Sequence, residues 1–180
     1  MKTSDSLLRE VSGMNMIVAV DKKWGIGKDG GLLCNLKGDM KYFREKTLGK
    51  VVVMGRSTLE SFPGGRPLKD RTNIVLTRRE NLEIEGATVV HSMEELFSEC
   101  NKYDPDDVMI IGGSSVYNEL MNMCDRLYIT KIDAEFDADS FINNVDINYN
   151  FKVVWESEEQ EENGIRYKFY EYRRIWNRMD

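Results

Sequence analysis

One histidine, three prolines and three cysteines are all that 180 residues hold of these types. With His91 alone, neither a histidine-based metal centre nor a Ser-His-Asp triad is expected, and the chain reads as metal-free. Cys34, Cys100 and Cys124 are odd in number and form no Cys-x-x-Cys pair. That points to reduced thiols in a cytoplasmic protein. No apolar run nears the roughly 20 residues of a membrane helix; Met16 to Val20 and Val108 to Ile111 are strand-sized. The start of the chain does not read as a signal peptide. A basic excess is missing too: the net charge is -6, so nucleic acid is not an expected partner.

What is present suffices for one domain. A chain of this length buries about 70% of the surface its unfolded form exposes, enough to need no staple. Residues 1–13 read as a polar N-terminal extension, with Leu7, Leu8 and Val11 at helical spacing. Residues 14–175 read as the domain and 176–180 as a tail.

Short β-branched runs alternate with helical patterns. Asn15 to Val20, Val51 to Met54, Asn73 to Thr77, Ala87 to Val90, Val108 to Ile111 and Leu127 to Ile132 predict strands. Gly38 to Leu48 predicts a helix ended by Gly49. Ser57 to Phe62 and Ser92 to Tyr103 both open on Ser-x-x-Glu, a capping box, and Ser115 to Met123 predicts a fourth helix. Phe151 to Glu156 and Ile165 to Tyr172 predict an antiparallel hairpin at one edge, with Glu158 to Gly164 as its turn. The alternation implies an α/β domain with a mixed, mainly parallel sheet flanked by helices.

Gly25-Ile-Gly-Lys-Asp-Gly30 matches G-x-G-x-x-G, but no helix opens on its third glycine, so a Rossmann fingerprint is rejected. A glycine-hinged loop over a site fits better, beside the plainer reading of an ordinary turn. Two strands run into a glycine and then a helix: Val51 to Gly55 before Arg56-Ser57-Thr58, and Val108 to Ile111 before Gly112-Gly113-Ser114-Ser115. Such turns offer free amides to a phosphate, and Thr77, Arg78 and Arg79 add charge at a neighbouring strand end. Asp39 shares a helix face with Phe43. It is either an acid complementing the helix dipole or a half-buried carboxylate for a bidentate cationic edge. Arg71, before a strand, is either a solvated charge or a carboxylate clamp.

In order, these stretches resemble dihydrofolate reductase of the bacterial kind, from about Asn15 to Tyr172. The resemblance is carried by Ile17-Val-Ala-Val, the glycine run, Asp39-Met-x-x-Phe43, Val53-Met-Gly-Arg-x-Thr58, Gly65-Arg-Pro-Leu68, Arg71-x-Asn-Ile-Val-Leu-Thr77, Ile110-Ile-Gly-Gly113, Val116-Tyr117 and Leu127-Tyr-Ile-Thr130. It implies an eight-stranded, twisted, mainly parallel sheet, antiparallel only at its C-terminal strand. It also implies NADPH-dependent reduction of 7,8-dihydrofolate to 5,6,7,8-tetrahydrofolate in a monomeric, cytoplasmic enzyme open to antifolate inhibitors.

By the same matching, Asp39 holds the pterin N3 and 2-amino group. Ile17, Val18, Leu32, Met40, Phe43, Phe62, Leu68, Ile111 and Thr130 complete the substrate site, with Arg71 on the α-carboxylate of the glutamate tail. Val18, Ala19, Ile26, Gly27 and Ile111 contact the nicotinamide half. Gly55, Arg56, Ser57 and Thr58, with Gly112, Gly113, Ser114, Ser115, Val116 and Tyr117, hold pyrophosphate and ribose. Leu76, Thr77, Arg78 and Arg56 meet the 2′-phosphate end. A cis peptide is expected between Gly112 and Gly113. Trp24 to Leu36 match a mobile lid that Asp139 pins.

The lid departs from the family's Leu-Pro-Trp-x-Leu-Pro, reading Leu32-Leu33-Cys34-Asn35-Leu36-Lys37. Two stiffening prolines and an indole are replaced, which predicts a looser lid and weaker inhibition by diaminopyrimidines. The alternatives are a pyrimidine reductase of riboflavin synthesis with the same fold and cofactor, or a homologue that binds nucleotide without catalysis.

Overall fold

Six strands pair side by side in one direction: β8 (Cys124–Ile132), β1 (Met14–Val20), β7 (Val108–Ile110), β4 (Val51–Gly55), β5 (Thr72–Leu76) and β6 (Ala87–Val90), in that spatial order. The computed structural model that shows this describes residues 13–175. At the β8 edge, β12 (Ile165–Arg174) runs antiparallel to β8, and β10 (Phe151–Glu156) runs antiparallel to β12. The eight-stranded, mainly parallel sheet expected from the sequence is therefore present, with β12 as its one reversed member. The expected helical spacing of Leu7, Leu8 and Val11 lies outside the described residues, as does the tail 176–180.

Central parallel strands are covered on both faces, which requires continuous apolar runs. Val52, Val53, Met54, Ile74, Val75, Val108 and Ile110 are all buried, each stabilising the fold by about 1.5–3 kcal/mol relative to exposure. The helices supply the cover: α1 (Lys37–Thr47), α2 (Arg56–Ser61), α3 (Met93–Cys100) and α4 (Ser114–Leu120). Ser92 caps α3 as its box predicts, accepting from Glu95 N–H at 3.1 Å. The Ser57 box does not form. Helix α2 starts one residue earlier with Gly55 as its N-cap, and Glu60 is drawn to Arg56 at 2.6 Å instead.

Two further expectations are corrected. The turn predicted over Glu158 to Gly164 contains a strand, β11 (Gln160–Glu162), paired with β12. Asn163 and Gly164, both at positive φ, make the tight turn, because a two-residue hairpin needs that twist. The glycine-hinged loop is likewise a hairpin. Here β2 (Gly25–Lys28) pairs with β3 (Gly31–Leu32) through Asp29-Gly30, again at positive φ, and β9 (Ser140–Phe141) adds on the other side.

Side-chain alternation sorts the sheet into two faces. The registers Ile17↔Tyr128, Ala19↔Thr130 and Thr130↔Phe169 put these residues on one face. Val18 and Val20 point to the other, where they pack with Trp24, Val116 and Tyr117. Helix α1 lies across the first face and turns Asp39 toward Thr130 on it.

Candidate active site

Asp39 is the third residue of α1, and its carboxylate faces the sheet. Thr130 Oγ1 donates to Asp39 Oδ1 at 2.6 Å. Burial raises the Asp39 pKa above the ordinary carboxylate value, and the Thr130 hydrogen bond partly opposes that rise. A carboxylate so placed is oriented, dehydrated and in need of a cationic or donor partner.

Ile17, Phe43, Phe62, Leu68 and Ile111 belong to a single apolar cluster with Val52, Met54, Leu59 and Met109. Ala19, Cys34, Leu36 and Phe169 form a second with Ile132 and Tyr167. Asp39 therefore stands on a helix whose flanks pack into both layers. Tyr42, one turn along α1, stacks on Phe169 with ring centroids 4.1 Å apart. Leu32 and Met40 are placed differently: they are 73% and 53% exposed and join neither cluster. The Val18 side chain faces away from Asp39, because a strand's odd and even positions cannot share a face.

Arg71 is aimed by a residue that sequence reasoning missed. Thr47, fully buried at the end of α1, accepts from Arg71 Nε and Nη2 at 3.2 and 3.1 Å and donates to Phe43 O at 2.8 Å. Lys69 O takes Nη1 at 2.7 Å. None of the ion pairs among the described residues involves Arg71. Burial and the nearby Arg44 lower its pKa, a setting that favours an incoming anion. A threonine four residues after Phe43 carries no sequence signal beyond returning a hydrogen bond into its own helix.

The two glycine turns lie against each other. Gly55 N–H donates to Gly112 O at 2.8 Å, and Ile111 N–H to Val53 O at 2.9 Å. The Gly112–Gly113 peptide is cis, as expected. A Cβ on Gly55 would sit 3.4 Å from Val116, and one on Gly112 3.2 Å from the Tyr117 ring; on either Gly112 or Gly113 it would sit 3.4 Å from Thr58 Oγ1. Glycine thus keeps open a shallow cradle bordered by Thr58, Val116 and Tyr117. No side chain caps α2 or α4, so their first amides, with Ser57, Ser114 and Ser115 alongside, are available to an anion. Tyr117 anchors the cradle to the first strand by donating to Ile17 O at 2.7 Å.

At the next strand end Leu76 is half-buried, Thr77 is buried and Arg78 and Arg79 are exposed. His91, read from sequence as a surface or helix-start residue, places Nδ1 3.2 Å from Thr77 O and so borders this basic turn. Arg56 differs from the others: Glu60 already holds it.

The β2–β3 hairpin is fastened by two carboxylates. Asp21 accepts from Lys23 and Gly25 N–H at 2.9 and 2.8 Å, and from Phe136 N–H at 3.1 Å. Asp139 accepts from Asp29 N–H at 2.9 Å, and its own N–H reaches Gly27 O at 3.0 Å. Ile26 packs from the hairpin onto the opposite-face cluster, and Gly27 is buried beside Ser140. The described residues hold no cluster of metal-ligating side chains.

This arrangement has counterparts. A family model described as dihydrofolate reductase matches residues 13–174. Dihydrofolate reductase of Bacillus subtilis is 39% identical over 163 residues, covering 88% of this chain and 93% of that one. The Rattus norvegicus enzyme is 40% identical over 183 residues, covering 90% and 97%. A solved structure of dihydrofolate reductase from Enterococcus faecalis, complexed with NADP(H) and RAB-propyl, superposes with a TM-score of 0.81 at 36% identity, covering 90% of this chain and 96% of that one. With a carboxylate on its first long helix, twin glycine turns and matches along nearly its whole length, the chain belongs to the dihydrofolate reductase family.

Proposed function

We propose that Asp39 organises the NADPH-dependent reduction of 7,8-dihydrofolate to 5,6,7,8-tetrahydrofolate by this protein. The observation that carries the reading is the partly buried Asp39 carboxylate, oriented by Thr130 and raised in pKa. A pterin presents N3–H and a 2-amino group on one planar edge, a match for the two oxygens of a carboxylate. In that contact the charged carboxylate gains the donors that burial denied it, and it favours protonation of the ring, which makes C6 more electrophilic. Ile17, Phe43, Phe62, Leu68 and Ile111 enclose the ring and its benzoyl extension and exclude water. Arg71, aimed by Thr47, receives the α-carboxylate of the glutamate tail.

The glycine cradle fits a dinucleotide, since glycine permits close backbone approach and uncapped amides meet phosphate. NADPH, when bound, supplies the hydride for pterin C6. Gly55, Thr58, Gly112 and Gly113 hold its pyrophosphate, and Thr77 and Arg78 its 2′-phosphate. Lid residues Trp24 to Leu36 close over the meeting point of the two ligands, and the proton for N5 comes from water. The rest of the acceleration is proximity between two flat rings in a dry site. We further read the protein as a cytoplasmic monomer without nucleic-acid or membrane partners.

The test is NADPH absorbance in the presence and absence of dihydrofolate. Oxidation that requires dihydrofolate, and is not supported by the pyrimidine intermediate of riboflavin synthesis, is the expected result. Absence of turnover with dihydrofolate overturns the reading.

A further inference from the structure

Helix α1 begins without a conventional cap. Leu36 occupies the N-cap position and makes no side-chain hydrogen bond there. The helix's first amides are met from far along the chain: Glu162 Oε1 accepts from Lys37 N–H at 2.9 Å, and Oε2 from Gly38 N–H at 3.3 Å. Both oxygens of one carboxylate, carried on β11, thus close the turn that leads directly into Asp39.

Lys37, where the resemblance expects a proline, gives this contact its meaning. A proline there has no N–H to donate, and its ring fixes φ for the helix start. Lysine gives up that stiffness and adds a donor, which Glu162 takes. The acceptor's negative charge also complements the positive end of the helix, and charge-assisted bonds are about twice as strong as neutral ones. A second grip comes from the same hairpin. A Cβ on Gly38 would collide with the Tyr167 hydroxyl, so that hydroxyl lies against the first turn, and Tyr167 pairs in register with Gln160, two residues before Glu162.

We propose that Glu162 is a positioning residue for dihydrofolate reduction: it holds the first turn of α1, and so the Asp39 carboxylate, in place of the stiffening proline. The inference rests on the reading of Asp39 given above. It acts through the backbone of Lys37 and Gly38, and a displacement of about 1 Å at a reacting centre costs on the order of a hundredfold in rate.

The experiment compares Glu162→Ala, Lys37→Pro and the double variant with the parent. Lys37 is exposed, and Leu36, at φ -112° and ψ 112°, already has the backbone that precedes proline. Glu162→Ala is expected to raise KM for dihydrofolate and weaken binding of a 2,4-diaminopyrimidine, titrated by fluorescence without NADPH, each by roughly five- to twentyfold. KM for NADPH stays within about twofold, and the double variant recovers most of both losses. Unchanged dihydrofolate and diaminopyrimidine constants overturn the proposal. So does an equal rise in KM for NADPH with a lowered Tm, or a double variant no better than Glu162→Ala. A parent that never turns over dihydrofolate overturns the Asp39 reading instead, while the diaminopyrimidine titration still reports on Glu162.

Discussion

The Thr130 hydroxyl reaches Asp39 Oδ1 at 2.6 Å across 91 positions of sequence, tying α1 to the strand beneath it. That hydrogen bond stabilises the ionised carboxylate against the cost of its burial. Thr130→Val removes the donor at nearly constant volume. KM for dihydrofolate is expected to rise roughly tenfold, the scale of one buried hydrogen bond to a charge. KM for NADPH stays put, and the pH below which dihydrofolate binding weakens moves upward. Initial rates against both substrates from pH 5 to pH 9 check this.

Asp39→Asn separates chemistry from stability. Asn offers the pterin's N3–H and 2-amino edge one acceptor oxygen and no charge to favour ring protonation, so the rate at neutral pH falls by about 10²–10⁴, with partial recovery at acidic pH where the substrate is already protonated. Stability moves the other way. The folded pKa of Asp39 lies above its unfolded value, so the unfolded chain ionises first and stability drains away as pH rises from about 4 through the folded pKa. The variant therefore melts above the parent at pH 7, and the gap closes below about pH 4. Thermal denaturation at pH 3.5 and pH 7 decides it.

The role given to Arg71 depends on the glutamate tail. Arg71→Gln is expected to raise KM for dihydrofolate by roughly ten- to a hundredfold, the worth of a bidentate charged pair. A reduced pterin lacking the p-aminobenzoylglutamate tail loses much less. Thr47→Val, which leaves the guanidinium but removes the oxygen that aims it, gives a smaller rise of the same selectivity. Comparing the two substrates in each variant is the measurement, and an equal loss on both refutes the assignment.

Much of this was legible in the chain itself, for physical reasons. Parallel strands buried on both faces must be β-branched runs, so Val51 to Met54 and Val108 to Ile111 announced themselves. The glycine turns did so because close backbone approach admits little else. The strand β11 was hidden: Gln160, Glu161 and Glu162 read as an acidic turn, and only pairing with Ile165 to Tyr167 makes them extended. Thr47 and Glu162 were hidden too, since a residue that orients another across 24 or 125 positions leaves no local pattern. The Ser57 box misled because Gly55 already provided the extended N-cap backbone and Arg56 competed for Glu60.

Cys34 stands where the family pattern carries an indole, and its surroundings make the exchange testable. It is half-buried against Leu36, Ile132 and Tyr167. Burial, with Asp39 and Glu162 nearby, raises its thiol pKa, so the sulfur stays a neutral thiol at neutral pH, a weaker donor than the indole N–H that the resemblance expects here. Asp21 and Asp139 still fasten the β2–β3 hairpin to the rest of the fold, so the exchange is expected to alter inhibitor contacts more than the hairpin's attachment. Cys34→Trp is expected to tighten diaminopyrimidine inhibition by roughly tenfold, one hydrogen bond plus aromatic contact, while KM for dihydrofolate shifts less than about threefold. In the parent, the thiol reacts with iodoacetamide more slowly than a free cysteine peptide at pH 7.5, because the thiolate is the nucleophile. Inhibition constants measured with and without the indole decide the matter: equal values would mean that the lid sequence does not set antifolate affinity in this protein.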